Sequence, residues 1–103
     1  MTNMASMFAS TPFNQDIGNW DVSNVISMRY MFQSCESFNE RIFNWDVSSV
    51  TDMSGMFAFA SNFNQDLSSW NVTNVLDYGG FLLVHPAGLY LNLIFKLTHF
   101  KIF

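Results

Sequence analysis

The residues best placed to do chemistry are Asp21, Asp46 and Asn71, which recur at one fixed spacing of 25 residues along the 103-residue chain. Acidic and amide groups repeated at one register stack into a column, and such a column could hold calcium or meet cationic groups on a partner. Calcium takes six to eight oxygens, backbone carbonyls among them, and a single column supplies too few. The other reading is a solvated face whose side chains bond to one another across the stack. Asn19 and Ser23 flank the first member, Asn44 and Ser48 the second, and Ser69 and Thr73 the third. Together these nine residues form the candidate contact surface, with no metal site and no cofactor assigned to it.

The column exists because one sequence is written three times. Phe13-Asn14-Gln15-Asp16-Ile17 through Trp20-Asp21-Val22 to Val25 returns from Phe38 and again from Phe63, a step of 25 residues each time. Repeats of this length imply a solenoid, in which each copy buries its apolar face by stacking on the next. Within a copy, Trp20-x-Val22 has the two-residue period of a half-buried strand. Met28, Met31, Phe32 and Cys35 then stand at i, i+3, i+4 and i+7, one stripe of a short helix. Asn3, Ser27, Asp52 and Asp77 precede these stripes and are good N-caps. The expected fold is an α/β, leucine-rich-repeat-like solenoid: one short strand and one short helix per repeat, with the strands in a parallel sheet. Ile17-x-x-Trp20-x-Val22 fits the L-x-x-L-x-L template with Trp in the second Leu position.

At 103 residues the chain is at most one domain, in two parts of unlike character. Residues 1–78 carry the repeats, with a partial copy at the N-terminus signalled by Met4, Met7 and Phe8. This part holds all eight acids and only Arg29 and Arg41, a net charge of −6, while residues 79–103 add Lys96 and Lys101 and no acid. An acidic repeat surface excludes nucleic acid, which needs clustered Lys and Arg. The tail from residue 79 shares nothing with the repeats and has three readings: a cap on the last copy, a membrane segment, or the product of a frame or splice error. Tyr78 to Phe95 spans 18 residues without a formal charge, the lower limit for a helical crossing, but Gly79, Gly80, His85, Pro86 and Asn92 weaken that reading.

The remaining residues of chemical interest read as structure. Trp20, Trp45 and Trp70 share the parity of Val22, Val47 and Val72 and so point inward. Asn14, Asn39 and Asn64 resemble the internal asparagine ladders of solenoids, which satisfy turn backbone groups. The methionines are spaced for burial, not for copper. Cys35 is the single cysteine, so it has no internal disulfide partner, and it reads as a buried thiol. Nothing matches a phosphate loop, a nucleophile elbow or a paired-carboxylate site, and Glu36 and Glu40 occur in one copy only. Asn71-Val72-Thr73 is a glycosylation sequon.

The motif Phe-Asn-Gln-Asp-Ile/Leu-x-x-Trp-Asp-Val-Ser-Asn-Val-x-x-Met-x-x-Met-Phe resembles the BspA-like leucine-rich-repeat surface proteins over roughly residues 2–78. That resemblance implies a repeat fold, an extracellular binding or adhesion role and no catalytic residues. The expected function is therefore a non-enzymatic module that binds a macromolecular partner, part of a larger cell-surface or secreted protein. No signal peptide is present in the chain. Self-association through uncapped ends is a further expectation. The alternatives are a truncated product without independent function, or a carbohydrate- or calcium-binding domain that uses the Asp column. Arg41 and Phe43 depart from the pattern, where neighbouring copies carry acidic and small residues.

Overall fold

The fold is that of a computed structural model, which describes residues 2–81. Successive 25-residue copies lie on one another as coils, but the coils are built of turns. Among the described residues there is no helix, and strand pairing is limited to the isolated parallel bridges Asn3–Ser27, Ser27–Asp52 and Asp52–Asp77. The expected α/β leucine-rich-repeat solenoid with its parallel sheet is therefore incorrect. Trp20-x-Val22 forms no strand, and the Met28 to Cys35 stripe forms no helix.

The backbone hydrogen bonds give the physical reason. In the run from Met28 to Cys35, the amides of Met31, Gln33 and Cys35 donate three residues back, to Met28, Tyr30 and Phe32. The intervening amides of Met28, Tyr30, Phe32 and Ser34 donate instead to Asp52, Ser54, Met56 and Ala58 of the next coil, at 2.8–3.0 Å. An α-helix keeps its amides for its own carbonyls four residues back. Here every second amide bonds the neighbouring coil, and the rest close turns.

The turns are identified by their dihedrals. Positive φ occurs at Ser6, Ser10, Tyr30, Ser34, Gly55, Phe59 and Gly80. Each is the third residue of a turn closed by a bond from its fourth residue to its first: 4–7, 8–11, 28–31, 32–35, 53–56, 57–60 and 78–81. A left-handed residue at the third position alone is the mark of a type II turn. A β-turn brings its first and fourth residues together, so apolar side chains three apart share a face. That spacing is common to a helix stripe and a turn run.

Three of the four residues expected as N-caps, Asn3, Ser27 and Asp52, do cap, but they cap turns. Asn3 Oδ1 accepts from the Ala5 amide at 2.9 Å, Ser27 Oγ from Arg29 at 3.3 Å and Asp52 Oδ1 from Ser54 at 2.9 Å. This two-residue reach is the Asx-turn geometry open to short polar side chains.

The core is apolar throughout and arranged in columns. Phe8, Phe32 and Phe57 form one, with ring centroids 5.7 and 5.5 Å apart; Phe13, Phe38 and Phe63 form a second, at 6.2 and 5.7 Å. The two are zipped by stacked pairs inside each coil, Phe8–Phe13, Phe32–Phe38 and Phe57–Phe63, at 3.7–4.1 Å. Each fully buried Phe side chain contributes roughly 1.5–3 kcal/mol by leaving water. Trp45 and Trp70 are buried, as their parity implied, but Trp20 is 40% exposed because no coil lies above it among the described residues. Cys35 is fully buried in a column with Thr11 and Ala60. Its Sγ donates to the Phe13 carbonyl at 3.4 Å, and burial pushes the thiol pKa up.

Residues 78–81 form a turn of the same kind, and Phe81 packs edge-on against Phe57 at 5.3 Å. The cap, membrane and frame-error readings of the tail concern residues that, past Phe81, lie outside the described part.

Candidate functional site

Asp21, Asp46 and Asn71 fall on the exposed surface at equivalent places in three coils. Their side chains are turned into their own backbone. Asp21 Oδ1 accepts the Ser23 amide at 3.0 Å and the Ser23 hydroxyl at 2.6 Å; Asp46 Oδ1 accepts the same two groups of Ser48, at 3.0 and 2.5 Å. Asn71 Oδ1 repeats the pattern with the amide and hydroxyl of Thr73. Each cluster locks the turn that follows, closed by Val25, Val50 and Val75 onto Val22, Val47 and Val72. The Ser23 hydroxyl and amide hold the Asp21 carboxyl below its ordinary pKa, and Ser48 does the same for Asp46. Among the described residues, no group of three or more His, Cys, Asp or Glu is placed to hold a metal ion.

The asparagine column forms, but it is not internal as expected: all three residues are exposed, at the rim of the coils. Asn14 Oδ1 accepts the Asn39 amide at 3.1 Å, and Asn39 Oδ1 accepts the Asn64 amide at 2.8 Å. Gln65 Nε2 adds bonds to the carbonyl and to Oδ1 of Asn39, at 3.0 and 2.8 Å. The ladder joins coils at their rim as the turn-run amides join them elsewhere.

Beside this ladder the surface is hollowed. One concavity is lined by Asp16, Asn39, Glu40, Arg41 and Gln65. A second, lined by Asp16, Gly18, Asn19, Arg41, Phe43 and Asn44, shares Asp16 and Arg41 with the first. Of the nine residues expected at a contact surface, Asn19 and Asn44 are brought to this place. Asp21, Ser23, Asp46, Ser48, Asn71 and Thr73 are committed to turn locking, and Ser69 Oγ donates to the Phe43 carbonyl at 3.1 Å.

Arg41 and Phe43 give the hollow its character. They occupy the columns of Asp16 and Asp66, and of Gly18 and Ser68. Asp16 and Asp66 accept the amides of Gly18 and Ser68 at 3.0 and 2.9 Å; Arg41 has no carboxylate with which to do so. Among the described residues the one ion pair is Arg29–Asp52, at 3.9 Å, so the exposed Arg41 guanidinium has no carboxylate partner. Phe43 is 45% exposed. The backbone of Arg41 lies close against the first coil: a Cβ on Gly18 would lie 2.8 Å from the Arg41 carbonyl oxygen. In the sequence these two residues stand out as the exposed positions where the middle copy breaks the pattern of both neighbours.

A family model described as "Mycoplasma protein of unknown function, DUF285" matches residues 1–83. The chain belongs to the DUF285 family. The DUF285 match covers the repeat-bearing residues and is compatible with the BspA-like resemblance of the motif. No curated protein and no solved structure matches this DUF285 chain.

Proposed function

We propose that the chain is a non-enzymatic binding module whose contact residues are Arg41 and Phe43, with Asp16, Asn19, Asn39 and Asn44 around them. One observation carries this reading. In a stack whose other coils place Asp and a small residue at these columns, the middle coil places an unpaired guanidinium and a half-exposed aromatic ring beside two concavities. Neither side chain has a hydrogen-bond or ion-pair partner among the described residues. Exposed Phe lowers solubility, and Arg gives up the carboxylate that locks its neighbours' turns. Arg and aromatic residues are enriched where protein interfaces concentrate their binding energy, and a hollow flanked by amides supplies the polar rim.

The partner is a protein, and the parent protein is a surface or secreted protein of the BspA-like kind that binds or adheres. The acidic surface supports the exclusion of nucleic acid as a partner. Arg41→Asp with Phe43→Ser restores the residue types of the third coil at these positions, so the fold is kept. Beads coated with the full chain adhere to cultured cells or to immobilised extracellular-matrix proteins, and beads coated with the double variant lose at least tenfold in retained number at equal melting temperature. Equal retention of the two overturns the reading.

A further inference from the structure

Asp16, Arg41 and Asp66 occupy one column in successive coils, and all three are exposed. Bonds between coils hold them in line on both sides. Two residues before, Asn14 Oδ1 accepts the Asn39 amide and Asn39 Oδ1 the Asn64 amide, at 3.1 and 2.8 Å. One residue after, the Ile17 and Ile42 carbonyls accept the indoles of Trp45 and Trp70, at 3.0 and 3.1 Å. Chain segments joined side by side through their backbones, as these coils are along the turn run, lie about 4.8 Å apart. Asp16 and Asp66 each turn one carboxylate oxygen to an amide two residues on, that of Gly18 at 3.0 Å and of Ser68 at 2.9 Å. They are thereby fixed without pairing Arg41, since the one ion pair among the described residues is Arg29–Asp52. Glu40 lines the same hollow as Asp16 and Arg41. The column reads minus, plus, minus along the stack, and no salt bridge cancels the plus.

We propose that the protein segment bound at the Arg41–Phe43 surface presents one carboxylate between two cationic side chains, which rests on that surface being the contact site. Charge complementarity carries it. The guanidinium offers its donors in a planar fork that matches a carboxylate, and the acids on either side of it call for cations. A run of acidic residues would meet Asp16, Glu40 and Asp66, and a run of basic residues would meet Arg41. Like charges set against each other reject such partners. Phe43, two residues beyond Arg41 and half-exposed, gives the aliphatic stem of a flanking lysine an apolar surface. An extended segment of the form Lys-x-Glu-x-Lys places its three charges on one side, about 7 Å apart. The flexible lysine stems take up the difference from the coil spacing.

The test titrates the isotope-labelled full chain with the capped peptide Lys-Val-Glu-Val-Lys and follows the Arg41 Nε–H and the Phe43 ring by NMR. At physiological salt, charges farther apart than about 8 Å are largely screened, so the titration reads contact rather than net charge. Both signals move saturably at millimolar peptide. Glu-Val-Lys-Val-Lys, of the same composition and net charge, binds about fivefold more weakly. Exchanging the central Glu for Lys weakens binding to the native chain and strengthens binding to the Arg41→Asp chain, read on the Phe43 ring in both. That variant carries the residue type of the coils on either side, so its fold is kept. Unmoved signals, equal binding of the two peptide orders, or a central Lys that acts alike on both chains overturns the charge pattern. The contact surface survives these outcomes if Arg41→Asp with Phe43→Ser still loses bead retention; equal retention removes the surface and the pattern with it.

Discussion

The indole N–H of Trp45 donates to the carbonyl oxygen of Ile17, 28 residues earlier, at 3.0 Å in the buried interior. The same carbonyl accepts the Trp20 amide at 3.1 Å. One oxygen thus closes the turn of its own coil and anchors the next coil onto it. Repeating the arrangement at Ile42 with Trp70 makes tryptophan a clamp between coils as well as core volume.

A position-dependent cost follows for one residue type. Trp45→Phe removes a buried donor, worth about 1 kcal/mol net, and leaves a cavity that adds to the loss. Trp20→Phe changes a part-exposed ring whose indole has no carbonyl partner among the described residues, and costs this chain within about 0.5 kcal/mol. Urea unfolding of the two variants measures this, and equal midpoints would refute the clamp.

Tyr30 and Gly55 form a second coupled pair. Gly55 has φ +60°, and a Cβ there would lie 2.3 Å from Cδ1 and Cε1 of the Tyr30 ring. Gly55→Ala therefore meets two costs: about 1–2 kcal/mol for a left-handed L-residue, and displacement of a ring that also carries the Arg29 guanidinium 5.0 Å above it. In a Tyr30→Ser background only the first remains. A double-mutant cycle reads a positive coupling between the sites; additivity would show that the ring does not constrain Gly55.

Acid sensitivity separates the two carboxylates from the amide in their column. Asp21 and Asp46 are held below the ordinary value of 3.8 by Ser23 and Ser48. A depressed folded pKa contributes stability that is present above the unfolded value and lost as pH falls through the folded one. Asn71 makes the same bonds without a charge. Asp21→Asn with Asp46→Asn therefore keeps the turns and flattens the fall in stability below about pH 4. Denaturation midpoints between pH 2 and 6 test it, and an unchanged acid slope would count against the Ser contacts as its source.

The repeat, its columns and its capping residues were legible in the sequence because each depends on residue type at a fixed step. Asn14 and Asn39 do hold the next coil, and Ser27 and Asp52 do cap. The element type was not legible. Met28, Met31, Phe32 and Cys35 lie three or four apart, and a run of type II turns satisfies that spacing as well as a helix does. The deciding facts are the left-handed Tyr30 and Ser34 and the amides given to the next coil. Neither Tyr nor Ser announces a positive φ as Gly does. Of the nine residues of the candidate surface, Asn19 and Asn44 line the hollow, while Asp21 and Asp46 serve their turns. Arg41 and Phe43 showed as broken pattern, but which side of the coil they occupied depended on the turn geometry.

The sign of one substitution distinguishes the turn run from a helix. Ser34 has φ +54° at the third position of the turn from Phe32 to Cys35, and its amide donates to Ala58 at 2.8 Å. Glycine keeps that amide and removes the steric cost of a Cβ at positive φ, about 1–2 kcal/mol. The greater freedom of glycine in the unfolded chain offsets about 0.5–1 kcal/mol of this. Ser34→Gly is therefore neutral or stabilising, by up to about 1 kcal/mol. In the interior of a helix the same change is destabilising, by about 0.5 kcal/mol. Ser34→Ala sharpens the contrast, because alanine favours a helix and keeps the Cβ that the turn disfavours. Chemical denaturation of the two variants should rank Gly above Ala. The reverse order would restore a helix between Met28 and Cys35.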